Sequence, residues 1–192
     1  MLASIVMSSP RPWTVVETES LQDCAVFRVS RTRARSPRTG EVHSFYQILA
    51  DDWVNVVPVT PGGHVVMVRQ YRHGCQDLTL EIPGGMVDRG ETPAAAATRE
   101  LLEETGFRAE RLEAVGWVNP NPALFGNRCH TFLATGCRPV AEIENLDTEE
   151  TAVELVPEEE IDRRVACGDI DHALVVAAIF QWRILRQEGS RG

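Results

Sequence analysis

The chain has 192 residues, is 43% hydrophobic and carries a formal net charge of -9, which allows a substantial core and suits one domain, or one domain with an appendage. The acidic balance argues against a nucleic-acid-binding surface, since phosphate backbones need clustered cations and only Arg31 to Arg38 offers a basic run; no stretch reaches the ~18 apolar residues of a membrane span. Cys24, Cys75, Cys129, Cys137 and Cys167 show no C-x-x-C spacing, so they read as reduced, mostly buried thiols, and with no basic and apolar leader a cytoplasmic protein is expected.

In chain order, Trp13 to Val16 and Cys24 to Ser30 have the pattern of short strands, followed by a polar, basic turn from Arg31 to Gly40. Phe45 to Leu49 and Trp53 to Val59 read as strands. The Thr60-Pro61-Gly62-Gly63 turn then leads into a strand from His64 to Tyr71, a hairpin signal. Leu78 to Ile82 is a further short strand running into Pro83-Gly84-Gly85, where glycines let the backbone approach a neighbouring group closely. A helix is predicted from Pro93 to Thr105, with Thr92 as its N-cap and Gly106 as its stop. Strands at Glu113 to Val118, Arg128 to Ala134 and Ala152 to Val156 follow, and helices at Glu158 to Val165 and Ile170 to Arg186 close the chain. Strands on both sides of a central helix, with a last amphipathic helix, predict an α+β protein with a mixed sheet packed between helices.

The Pro93 to Thr105 helix carries the chemistry. At about 100° per residue, Glu103 and Glu104 fall within roughly 60° of Glu100, on opposite sides, so all three side chains are expected to project together. Like charges at this spacing repel, and carboxylates in the last turns face the negative end of the macrodipole, each costing a few tenths to ~1 kcal/mol. Arg99 offsets part of this. One cation against Glu91, Glu100, Glu103 and Glu104 still leaves a negative site suited to a hard divalent ion such as magnesium or manganese. Acidic runs are commonly just solvated helix faces, but the full spacing of glycines, arginine and glutamates should arise by chance in well under about one in a million chains.

The pattern resembles the Nudix box, Gly-x5-Glu-x7-Arg-Glu-U-x-Glu-Glu-x-Gly-U with U aliphatic or aromatic, and Gly85, Glu91, Arg99, Glu100, Leu101, Glu103, Glu104, Gly106 and Phe107 match it throughout. That resemblance implies an α/β/α sandwich over residues 41–188. It also implies hydrolysis of a diphosphate linked to another moiety, with two or three Mg2+ (or Mn2+) ions per site. Glu100 and Glu104 would be direct ligands, Glu103 and the Gly84 carbonyl would complete the site, Glu91 would stand behind them or bind through water, and Arg99 would orient the glutamates. Residues 1–40 are similar to the extra antiparallel strands of the ADP-ribose pyrophosphatase branch, which implies a two-fold homodimer.

The run Val68-Arg69-Gln70-Tyr71-Arg72, followed by Glu81-Ile82-Pro83-Gly84-Gly85-Met86, is similar to the segment preceding the box in ADP-ribose and nucleotide-sugar pyrophosphatases. It marks Arg69, Arg72, Glu81 and Met86 as substrate contacts, with Arg72 on the diphosphate, where its planar fork suits phosphate oxygens. Asn119-Pro120-Asn121-Pro122 lies near the place of that branch's diagnostic proline, but Ala123 to Arg128 departs from its Pro-Gly-aromatic pattern. The substrate therefore reads as a small nucleoside diphosphate derivative, ADP-ribose first and GDP-mannose or another nucleotide sugar second. Capped RNA and nucleoside triphosphates fit less well, and a non-catalytic nucleotide sensor is the alternative of another class. The branch takes its general base from a late loop, which here is the acidic segment Glu142 to Glu150 with Glu149 and Glu150 as candidates. Five histidines show no ligand spacing and read as structural or exposed.

Overall fold

Residues 9–143 and 150–189 are described by the structure, a computed structural model. Two units separate. One takes the chain up to Ala50 together with Asn121–Gly126, and the other takes Asp51–Pro120 and the chain from Asn127 onward.

In the first unit, β1 (Thr14–Asp23), β2 (Arg28–Arg35) and β3 (Val42–Leu49) form an antiparallel sheet in the order β1-β2-β3. Residues 31–35, expected in a turn, belong to β2. Small side chains at Ser30, Thr32 and Ala34 are buried while the intervening arginines face out, and Arg31 and Arg33 pair across β1 with Glu19 at 2.5 Å and Glu17 at 3.2 Å. This is a period-two strand written in unusual residues. The reversal itself is shorter, closed by the Gly40 N–H donating to Ser36 at 3.0 Å. Residues 24–27, expected to begin a strand, instead form the β1–β2 turn, with Ala25 at φ 63° and the Cys24 N–H donating to the Phe27 carbonyl. Because β3 pairs with β2 residue for residue, the unit boundary falls after Ala50 and not at the expected 40/41.

The second unit is built on a mixed sheet. Its strands are β4 (Trp53–Val59), β5 (His64–Arg72), β6 (Asp77–Glu81), β7 (Gly84–Met86), β9 (Arg111–Val118), β10 (Cys129–Thr135) and β12 (Thr151–Pro157); β8 (Phe107–Arg108) and β11 (Arg138–Pro139) form a separate two-stranded pair. The order is β12-β5-β4-β10-β9, with β10 parallel to β4 and the other pairings antiparallel. α1 (Pro93–Thr105) covers one face, where Ala96, Ala97 and Leu101 pack with Val54, Val56 and Val66. α2 (Ile161–Ala166) and α3 (Ala173–Gly189) cover the other, where Ile161, Val175 and Trp182 pack with Val57, Met67 and Leu80. Burying a side chain such as Leu101 contributes roughly 1.5–3 kcal/mol. This is the expected α/β/α sandwich, and none of its described helices is long and apolar enough to cross a membrane.

One departure from a regular sheet positions everything that follows. β4 and β5 share the Val59–Val65 pair and then diverge, and the chain after β5 folds back into the wedge, so β6 pairs with β5 over Asp77 to Glu81 and β7 pairs with β4 over Gly84 to Met86. The turn between β6 and β7 thus lies inside the sheet, against α1.

α1 begins and ends where predicted. Thr92 Oγ1 accepts from the Ala95 N–H at 3.2 Å, Pro93 occupies the first turn, and Gly106 closes the helix at φ 70°. The C-terminal helices differ from expectation. Glu158–Glu160 is a 3₁₀ turn leading into α2, and α3 starts at Ala173, not Ile170. The Ile170 N–H closes back on the Arg164 carbonyl at 3.1 Å, its side chain enters the core, and the His172 carbonyl accepts the first helical bond from Val176. Asp171 and His172 are left on a short connection ahead of the helix. Of the cysteines, Cys129 and Cys137 are buried, which pushes their thiols up to about 12 and about 11, whereas Cys75 and Cys167 are exposed, contrary to a mostly buried set.

Candidate active site

The divergence of β4 from β5 opens a cavity of about 750 Å³ walled by β4 to β7, α1 and the first turn of α3. Its acidic side comes from α1. Glu104 is 7% exposed, and its Oε2 accepts the Gly84 N–H at 2.9 Å. Glu100 lies over Gly85 so closely that a Cβ there would meet Oε1 at 2.2 Å, and a Cβ on Gly84 would meet the Val54 carbonyl oxygen at 2.2 Å. Both glycines are required by close approach.

Arg99 ties the remaining acids together. It donates to Glu91 at 3.2 and 3.0 Å, to Glu100 at 2.8 Å, to Glu103 at 3.1 Å and to the Met86 carbonyl at 3.0 Å. Hydrogen bonding from Arg99 holds Glu91 below the usual carboxylate range, and hydrogen bonding from Glu91 in turn raises Arg99. Three carboxylates on one helix face persist because a guanidinium binds two of them and a backbone amide binds the third. For the same reason, no three His, Cys, Asp or Glu side chains among the described residues form a ready-made metal cluster. Glu100 and Glu103 are drawn to Arg99, and Glu104 turns toward β7. The donors are still all oxygen, they share one cavity wall, and Gly85, lacking a side chain, lets the Glu100 carboxylate lie against the turn. This set fits a hard divalent cation.

Opposite stands a basic arm. Arg72 grips Glu81 through Nε and Nη2, both at 2.8 Å, and the Thr79 hydroxyl donates to the same carboxylate at 2.6 Å. His172 Nδ1 lies 3.0 Å from Glu81 Oε2. Burial pushes the Glu81 carboxyl up, but hydrogen bonds from Arg72, His172 and Thr79 together prevail and hold it well below the usual range. Glu81 was expected to touch substrate. Its oxygens are instead occupied by the protein, so it fixes Arg72 and His172 in place. Arg72 and Met86, also expected to touch substrate, line the cavity.

Arg69 does not. Alternation along β5 sends Gln70 and Arg72 to the α1 side and Arg69 to the other, where it pairs with Glu154 at 2.7 Å and Asp169 at 3.4 Å. Arg69, expected as a substrate contact, is thus placed outside the cavity lining. Glu149 lies outside the described residues; Glu150 is exposed and away from the cavity lining. The next residue, Thr151, donates to the Glu104 carbonyl at 3.2 Å, which ties the end of that loop to α1. Sequence reasoning missed Thr79, Asp171 and His172. Thr79 was legible from the period of β6, two residues from Glu81; the two residues ahead of α3 carry no motif.

The NUDIX domain family matches residues 51–178. This chain belongs to the Nudix family. It is 30% identical over 170 residues to an ADP-ribose pyrophosphatase of Mycobacterium tuberculosis, covering 85% of this chain and 80% of that protein. It is 32% identical over 139 residues to an ADP-sugar pyrophosphatase of Mus musculus, covering 67% of this chain and 62% of that protein. A crystal structure of an ADP compounds hydrolase superposes with a TM-score of 0.84 over 97% of this chain and 100% of the other at 22% identity, a likeness of fold. The Nudix chain thus stands in the ADP-ribose pyrophosphatase-like branch and is a pyrophosphohydrolase.

Proposed function

We propose that this Nudix hydrolase cleaves the diphosphate of ADP-ribose, giving AMP and a ribose phosphate, with GDP-mannose and other nucleotide sugars as the alternative substrates. One observation carries the reading. The Arg72 guanidinium, held in a fixed orientation by Glu81, shares a cavity with Glu100 and Glu104, so a phosphate-gripping cation faces a carboxylate pair. The activities for which the two relatives are named point to the same substrate class.

Arg72 draws the non-bridging oxygens of the diphosphate into the cavity and orients one phosphorus for attack. Glu100, Glu103, Glu104 and the Gly84 carbonyl, with Glu91 further out, would hold two or three Mg2+ or Mn2+ ions, which supply positive charge to the phosphates and acidify the attacking water. Arg99 keeps the glutamates in register, as its contacts with Glu91, Glu100 and Glu103 support. Glu149 or Glu150 takes the water's proton as its oxygen bonds to phosphorus and the bridging P–O bond breaks. The first unit forms a two-fold dimer through apolar side chains such as Trp13, Val15, Phe45 and Tyr46, which are exposed in the single chain. A monomeric mass by light scattering would remove the dimer.

The test is a product assay with Mg2+ and ADP-ribose, GDP-mannose, UDP-glucose, a diadenosine polyphosphate and a nucleoside triphosphate, repeated with Glu149→Gln and Glu150→Gln. AMP and ribose phosphate are expected from ADP-ribose, with one of the two variants losing about 10²-fold or more in kcat. Full turnover in both variants would move the base into the box. Absence of turnover across the panel, with metal bound, would make the protein a sensor.

A further inference from the structure

We propose that His172, with Asp171 beside it, is the specificity-determining element for the sugar on the far side of the diphosphate. The inference rests on the reading above and deepens it by assigning a residue to one end of the substrate.

The geometry begins at Glu81. Its Oε1 receives Arg72 Nε and Thr79 Oγ1, and its Oε2 receives Arg72 Nη2, with His172 Nδ1 at 3.0 Å. That carboxylate is ionised, so Nδ1 must carry its proton to be stable there. Nδ1 is itself buried, and its one close polar contact recorded among the described residues is the 3.0 Å approach to Glu81, while the His172 side chain as a whole is 38% exposed and lines the cavity. The exposed edge of the ring is therefore the one bearing Nε2. With the proton on Nδ1, Nε2 is the ring nitrogen left to hydrogen-bond a group in the cavity.

The ring is also fixed in position. The Asn55 side-chain amide donates to the Leu174 carbonyl at 3.1 Å, tying the first turn of α3 to β4, and Gly84 packs against the same asparagine. His172 is thus held relative to the turn that faces Glu100 and Glu104. Asp171, exposed and also on the cavity wall, adds a carboxylate next to it in the chain.

A carboxylate on this wall disfavours a phosphate, which brings negative charge and only acceptors of its own. Asp171 and His172 together match vicinal hydroxyls, which donate to the carboxylate and pair with the ring nitrogen. The diphosphate is the charge of Arg72 and the box glutamates, so the hydroxyls these two residues can read are those of the sugar attached beyond it. A Nudix chain with a different residue at this position would keep the same diphosphate chemistry and lose this selection.

Two amide variants separate the two edges of the ring. Asn places an amide near Nδ1 and keeps a donor for Glu81 but leaves the cavity edge empty; Gln reaches toward Nε2 and keeps the cavity contact. KM and kcat are measured for ADP-ribose and for the β-methyl ester of ADP, which carries the diphosphate without the sugar. His172→Asn is expected to raise KM for ADP-ribose about tenfold, with kcat and the values for the methyl ester within twofold of the parent, the size of one or two lost hydrogen bonds. His172→Gln restores much of the ADP-ribose preference, and Asp171→Ala reproduces the Asn pattern. Equal losses on both substrates would show that His172 acts only through Glu81 and Arg72 and would overturn the proposal. Unchanged kinetics on both would overturn it as well. A parent enzyme inactive on both compounds would bring down the functional reading first, and this inference with it.

Discussion

Gly85→Ala offers a clean way to disturb the acidic wall without removing a charge. Gly85 has no positive φ, so alanine is compatible with its backbone, and the Cβ would stand 2.2 Å from Glu100 Oε1 where ordinary contact starts at 3.4 Å. The atom struck is the end of a side chain, and the carboxylate moves by about 1.2 Å to clear it. Stability should change by less than ~1 kcal/mol, because no core atom is lost and Glu100 keeps Arg99 within reach. Catalysis should not be spared. A displacement near 1 Å at a group that positions reacting atoms costs on the order of 10²-fold, so kcat for ADP-ribose is expected to fall by about that factor. Initial rates at saturating Mg2+ and a urea melt of the same preparation separate the two effects. Gly84→Ala is the control. Its Cβ would strike the Val54 backbone carbonyl at 2.2 Å, which cannot swing away, so that variant should lose stability as well as activity. If Gly85→Ala kept the parent kcat, Glu100 would not be part of the catalytic wall.

The alternation of β5 makes a second prediction: Arg72→Ala lowers kcat/KM about 10- to 100-fold, while Arg69→Ala leaves it within about twofold and lowers stability by ~1 kcal/mol or less, its side chain being 36% exposed. A larger kinetic loss in Arg69→Ala than in Arg72→Ala would refute the assignment of faces. The third concerns Glu81, whose carboxyl is depressed from its ordinary value of 4.5. A depressed carboxyl stabilises the fold above its unfolded-state value, and that stabilisation is lost as pH falls toward the folded-state value. The gap in urea stability between the parent and Glu81→Gln should be about 1–3 kcal/mol, discounted because Arg72 is 43% exposed, constant from pH 8 to 5 and narrowing below about 4.5. A gap that widened on acidification would contradict the sign.

The acidic helix was legible from local chemistry alone. Thr92, Pro93 and Gly106 define its ends through hydrogen bonds within a few residues, and the 3.6-residue period fixes which glutamates share a face. The strands of the second unit were likewise readable because apolar runs such as Trp53 to Val59 mark strands buried on both faces. β2 was not, because its inward residues are small and its outward ones basic, so the periodicity lay in residue size and not in hydropathy.

What the sequence settled by itself was a carboxylate-rich helix preceded by a glycine turn, since every interaction involved spans only neighbouring residues. Tertiary structure decided which way those carboxylates turn, through an arginine that collects Glu91, Glu100 and Glu103 and a backbone amide that takes Glu104. It also decided that Arg72 faces the cavity and Arg69 does not, and that His172, 91 residues after Glu81 in the chain, stands 3.0 Å from it. Side-chain facing depends on which strand pairs where, and the opening between β4 and β5 that admits β6 and β7 exists only once the whole sheet has formed.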